Sequence, residues 1–234
     1  MLRIVDRRTG RTVPVGERAD RRVRLAVVLP DADPDRAVRA LVVADLARRV
    51  LEGVHGRQVR GTVFGPVTPI EARLAALWVP VPEDVRAVPS GAADLVVAGT
   101  DEDVAVAGPT LAVAAASGAG GADPTALRLV LLSTPPAEPL HLDAGRLADA
   151  AERVRAWRGA VARAARSPSA PVPAGALAAA TAACDDGLDI AALLAELDRM
   201  RADPSMPAGA VLEAYLFFDR VLALDLPRDI GTGG

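Results

Sequence analysis

A chain of 234 residues, 51% apolar but only 3% aromatic and with a net charge of −3, can bury a core built from Ala, Val and Leu. It contains no lysine, so all 27 basic residues are arginine and any mechanism requiring a lysine is excluded. One cysteine (Cys184) and two histidines (His55, His141) rule out an intrachain disulfide. They also leave too few candidates for a tetrahedral Cys/His zinc site, which needs about four ligands. No run approaches the roughly 18 apolar residues that span a bilayer. The opening Met1-Leu-Arg-Ile-Val-Asp-Arg-Arg carries charge where a signal peptide has its apolar stretch, which predicts a cytoplasmic protein. The pairs Arg7-Arg8, Arg21-Arg22 and Arg48-Arg49 are short and interleaved with acids, as on a solvated surface rather than a phosphate track.

Along the chain, the apolar run Val23–Leu29 predicts a buried strand. Asp33 then stands as an N-cap with Pro34 at the first helical position. Val38, Leu41, Val42, Asp45, Leu46 and Arg49 follow helical spacing, with the apolar ones on one face, until Gly53 and Gly56. Gln58–Phe64 is a second strand, completing a strand–helix–strand unit. Pro69–Leu77 reads as helical and Trp78–Pro82 as extended. Ala93–Ala98 is another buried strand, followed at Asp101-Glu102-Asp103 by an acidic helix start. Ser117–Asp123 is a Gly-rich connector. Helices follow at Thr125–Ser133 and Asp143–Arg166, then a Pro-rich loop over Ser167–Gly175. Three more are expected at Ala176–Cys184, Asp189–Arg201 and Pro207–Leu224. This layout predicts an α/β half, residues 1–122, and an all-helical half, residues 123–234.

Three segments, in order, resemble the cysteinyl-tRNA synthetase family. Leu2–Val15 is similar to that family's first hairpin, Val23–Pro30 to its first strand and turn, and Val38–Leu51 to the helix after its His-Ile-Gly-His signature. Ala93–Ala105 resembles Asp-Leu-Ile-Phe-Pro-His-His-Glu-Asn-Glu-Ile-Ala. Ala126–Ser133, Asp185-Asp-Gly-Leu-Asp189 and Phe218–Leu226 resemble the end of the catalytic core and the helical-bundle domain. The mycothiol-pathway cysteine ligase fits the first half nearly as well. The resemblance implies a Rossmann-like parallel sheet of the class I synthetase type, shortened, followed by an α-helical bundle.

The groups that the family's chemistry needs do not align. Its signature histidines fall on Pro34-Asp-Arg-Ala37, and Asp31, Asp33 and Asp35 crowd that helix start. There they serve as ordinary caps and repel a triphosphate. Arg36 and Arg39 either offset these acids or lie on the surface. The family's lysine loop falls on Gly108–Gly121, which has no cation. Its zinc ligands fall on Val28, Gly99 and Thr100, with Asp103 in place of a glutamate. One carboxylate does not hold zinc. Cys184 reads as a small core residue, and His55 and His141 have no sequence partner suggesting a triad.

The resemblance therefore implies a protein that has lost aminoacylation, uses no cofactor or metal, and acts by binding a protein partner or a second copy of itself. The helical faces Leu193, Leu194, Leu197 and Leu212, Tyr215, Leu216 are candidates for core or partner. The alternative is a nucleotide or small-molecule binder, or a diverged ATP-dependent cysteine ligase, taking ATP or an adenylate. Its remnant cleft would be formed by Pro30, Asp31, Asp35, Arg36, Arg39, Asp94, Gly99 and Asp101. Net acidity argues against tRNA as a partner.

Overall fold

The chain opens with an antiparallel hairpin, β1 (Arg3–Val5) and β2 (Thr12–Pro14). A computed structural model describes all residues except 17–20, 31, 82, 103, 119–122 and 233–234. The run rich in β-branched residues becomes β3 (Arg22–Val28) and leads into α1 (Pro34–Arg49). Asp33 caps this helix by accepting from the Arg36 N–H at 2.9 Å, with Pro34 at its first position, where no N–H is missed. A π-helical turn, Val50–Val54, continues it to His55. Then come β4 (Gln58–Phe64), a 3₁₀ turn running into α2 (Glu71–Ala76), and β5 (Asp84–Arg86). β6 (Leu95–Gly99) and β7 (Thr110–Val113) complete a five-stranded, wholly parallel sheet in the order β5-β4-β3-β6-β7. The order reverses between β3 and β6, as in Rossmann-like sheets. That reversal opens a crevice at the carboxyl ends of these strands, where open α/β sheets bind ligands.

β8 (Ala116–Gly118) pairs in parallel with β9 (Leu140–Leu142) across α3 (Pro124–Ser133). The rest is helical: α4 (Ala144–Ala164), α5 (Ala174–Asp185), α6 (Ile190–Ala202) and α7 (Ala208–Leu222). Among the described residues, no helix is long and apolar enough to cross a membrane.

Several expectations are corrected. The spacing in α1 predicts one apolar face, yet every residue from Ala37 to Ala47 is buried. The cause is position: α1 lies with the sheet on one side and α3 and α7 on the other. No strand forms over residues 78–81, the described part of the segment expected to be extended. Trp78 takes a positive φ of 53° and Pro80 has no N–H to donate, so pairing begins only at Asp84. No helix begins at Asp101–Glu102, where the chain turns instead. The stretch aligned with the family's mobile loop contains β7, which pairs with β6 along its whole length. Leu193, Leu194, Leu197 and Tyr215 are all core residues, and Leu212 and Leu216 are half-buried, so these helical faces are turned inward.

The face of the sheet opposite α1 carries a smaller core of Ala26, Val28, Phe64, Val96 and Ala98. It is covered by Ala93, Val104 and Val106 from irregular segments rather than by a helix.

Candidate functional site

The order of the strands dictates where to look. At the carboxyl ends of β3 and β6, buried Pro30, the start of α1 and the end of β6 come together. The Arg36 side chain lies across Gly99, where an added Cβ would come within 3.3 Å of its Cδ and Nη1. Its guanidinium pairs with Asp101 and lies 3.4 Å from Asp33 and 3.9 Å from Glu102. From the opening hairpin, Arg7 donates to the Gly99 carbonyl and, at 2.6 Å, to the Glu102 carbonyl. Arg8 donates to the carbonyls of Val104 at 2.7 Å and Val106 at 2.9 Å. The hairpin thus holds the segment after β6 at Gly99, Glu102, Val104 and Val106. Arg7-Arg8 is a clamp on this segment rather than the solvated pair expected.

Of the proposed cleft residues, Pro30, Arg36, Gly99 and Asp101 converge. Three others do not. Arg39, expected either in the cleft or at the surface, is fully buried. It donates to the carbonyls of Ala114 at 3.0 Å, Ala115 at 3.3 Å, Pro135 at 3.0 Å and Glu138 at 2.7 Å. Burial pushes this guanidinium down to about 10, so it stays charged at neutral pH and joins the end of β7 to the turn after α3. Asp35 turns away to pair with Arg73 of α2 at 2.7 Å. Asp94 lies at the amino end of β6, where its carboxylate accepts from the Arg24 N–H at 2.9 Å and pairs with the guanidinium at 3.2 Å. The five residues of β6 separate it from Gly99's end of the strand by about 16 Å. Asp31 lies outside the described residues.

The converged groups close the crevice on themselves. A phosphate arriving at the α1 N-terminus would find the Arg36 N–H already taken by Asp33, and Asp33, Asp101 and Glu102 facing it. The cavities of about 470 Å³ and 590 Å³ are elsewhere. The first is lined by Arg22, Gln58 and Asp94 at the amino ends of the strands, and the second by Arg48, Gly61 and Asp84 beside β4 and β5. The family's zinc does not fit this chain. Val28, Gly99 and Thr100 offer no ligand of the required kind, Asp103 lies outside the described residues, and no three His, Cys, Asp or Glu converge among those described.

The remaining reactive side chains are occupied structurally. Cys184 is fully buried, and burial pushes its thiol up to about 12, far from the thiolate a nucleophile needs. His55 meets Asp185 at 2.6 Å and links the end of the first helix to α5. His141 lies 3.2 Å from Ser117 on the exposed β8–β9 ribbon.

Arg7 and Glu102 are the site residues that sequence reasoning did not find. The only sequence signal was a second basic residue just after a predicted hairpin strand, which looks the same when solvated. The chain matches no protein-family model and no curated protein. Fold and site together define a mixed α/β protein with a Rossmann-like parallel sheet whose switch-point crevice is closed by ion pairs.

Proposed function

We propose that this chain is a shortened, non-catalytic relative of the class I cysteinyl-tRNA synthetases, a reduced core followed by a helical bundle, which acts by binding a protein partner. The observation that carries the reading is the crevice at the sheet's switch point, filled by Arg36, Asp101 and the Arg7 clamp. The sequence supports it too: it has no lysine and no histidine at the start of α1. The arginines that stand there, Arg36 and Arg7, are already engaged by acids and carbonyls rather than free for the charge that develops on a reacting triphosphate. A binding role is supported by exposed apolar side chains in and around the outer strand β5, Trp78, Val81, Val85 and Val88 in sequence order.

Calorimetric titration with ATP, then with a non-hydrolysable cysteinyl-adenylate analogue, tests this. No saturable heat is expected from folded protein with either ligand. Micromolar binding of either one would overturn the reading in favour of a nucleotide-binding protein or diverged ligase. In that case Arg36→Ala and Asp101→Ala would show whether the ligand occupies the crevice.

A further inference from the structure

The outer edge of β5 carries a self-complementary pattern. β5 pairs with β4 in parallel, with Thr62 opposite Asp84, Val63 opposite Val85 and Phe64 opposite Arg86. The Gly65 N–H donates to the Arg86 carbonyl at 3.0 Å, so the main chain of Arg86 faces β4. Backbone groups alternate along a strand, so the N–H and C=O of Val85 point the other way, off the sheet. Among the described residues, no strand pairs with that side.

Val85 is 46% exposed, and its neighbours Val81 and Val88 are 37% and 71% exposed. Asp84 and Arg86 flank it on one face of the strand, and Arg86 folds back to pair with Asp84 at 2.8 Å. Thr62 donates to the same carboxylate at 3.0 Å and fixes its direction. Pro80 and Pro89 bracket the segment and keep the edge short, which limits the registers open to an incoming strand.

We infer that β5 is a homodimer edge, at which a second copy of this chain adds its own β5 antiparallel about a two-fold axis through Val85. In that register the two Val85 residues exchange a pair of main-chain hydrogen bonds, N–H of each to C=O of the other. Asp84 of each copy lies opposite Arg86 of the other, so an acid–base pattern that reads Asp-Val-Arg in one direction meets its own complement in the reverse. The outcome is a continuous ten-stranded sheet across the dimer, with the exposed valines of both copies at the junction. A parallel partner strand, or an antiparallel one shifted by a residue, would lose both opposite-charge contacts.

This inference deepens the binding reading above by naming the partner as a second copy. Nucleotide binding would sink that reading without touching the dimer, and a monomer would sink this one without opening the crevice. Sedimentation velocity across a concentration series, with far-UV circular dichroism to check folding, provides the test.

The wild-type chain is expected to dimerise reversibly. Val85→Pro removes the outward N–H, leaves the β4 ladder intact, and is expected to give monomer. Asp84→Arg and Arg86→Asp each turn two attractive cross-strand contacts into repulsive ones, which should weaken association by about tenfold or more. An equimolar mixture of these two charge variants is expected to dimerise again, because an edge carrying two arginines then meets an edge carrying two aspartates. A wild-type monomer at every accessible concentration, a dimer unmoved by Val85→Pro, or a failure of the mixture to recover would each overturn the inference.

Discussion

The side chain on which most depends is one that composition would place at the surface. Asp45 is buried in the middle of α1 and holds Arg128 at 2.9 Å, Arg49 at 2.7 Å and Arg48 at 2.7 Å. Arg128, itself fully buried, also donates to the carbonyls of Leu77 and Leu222, both at 2.6 Å. Removing one partner of such a pair leaves an uncompensated buried charge. Asp45→Asn should therefore cost about 3–5 kcal/mol in urea denaturation. Because the residues act as a unit, Asp45→Asn with Arg128→Met should cost clearly less than the sum of the two singles. Strict additivity would show that the network is not coupled. Burial alone would push the Asp45 carboxyl up, but the charges of Arg128 and Arg49 and the hydrogen bonds from Arg48 and Arg49 outweigh it and hold it below the usual carboxylate value. A depressed folded value means that the stabilisation is fully present above the unfolded carboxyl's value, near pH 4, and is lost as pH falls through the folded value. Wild-type stability should accordingly fall more steeply than that of Asp45→Asn as pH drops below about 4, checked by urea midpoints at successive pH values.

Among the elements, two glycines in helix first turns, Gly209 and Gly175, make opposite predictions. Gly209 sits at the start of α7, where a Cβ would come within 2.0 Å of the Pro168 carbonyl oxygen and 2.8 Å of the Ala170 nitrogen. Alanine favours a helix over glycine by roughly 0.5–1 kcal/mol, but the backbone of the 168–170 loop must retreat to admit the methyl. Gly209→Ala should lower stability by about 1–3 kcal/mol despite the gain in propensity. Gly175, in the first turn of α5, has nothing within 4 Å of such a Cβ, and Gly175→Ala should raise stability by about 0.5–1 kcal/mol. Equal effects at the two positions in thermal melts would refute the packing argument. The same contrast between local and distant causes decides how legible the elements were. β3, β4, α1 and the helices after residue 123 stand out in the sequence because their patterning is local, and so are the caps of α1, α3, α4 and α6: Asp33, Asp123, Asp143 and Asp189 all accept from N–H groups two or three residues ahead. β7 was hidden because four residues in an Ala- and Gly-rich stretch become a strand only through pairing with β6. The helix expected at Asp101 does not form because Arg7 holds the Gly99 and Glu102 carbonyls, and a hairpin far away in sequence supplies that arginine. At the crevice, Arg36, Gly99 and Asp101 were legible from their place after strands. Arg39 was not, because one arginine in an apolar stripe looks the same whether it caps carbonyls inside or meets water outside.

At the scale of the whole molecule, the question is whether the α/β and helical parts unfold separately. The contacts crossing residue 122 argue for one unit. Arg128 joins α3 to α1 and to the ends of α2 and α7. Arg49 donates to the carbonyls of Trp78 and Arg220, both at 3.0 Å. The Gly187 N–H reaches back to the Arg3 carbonyl at 2.9 Å, and one apolar core runs from Leu2 to Leu226. Two built-in reporters follow the two parts: Trp78 is partly exposed beside the sheet, while Trp157 is buried in α4 and donates to Asp198 at 2.8 Å. Cys184 adds a third, since its buried thiol can meet a disulfide reagent only when α5 opens. A cooperative unit of ordinary stability predicts that all three report the same urea midpoint. It also predicts that Cys184 in the native protein reacts at least about a thousandfold more slowly than in the unfolded chain at the same pH. Asp45→Asn should then move the Trp78 and Trp157 transitions together. Labelling of Cys184 at urea concentrations that leave the Trp78 signal native would instead mean that α5 and its neighbours open by themselves. The ties through Arg128 and Gly187 would then be contacts between two separately stable parts rather than the seams of one core.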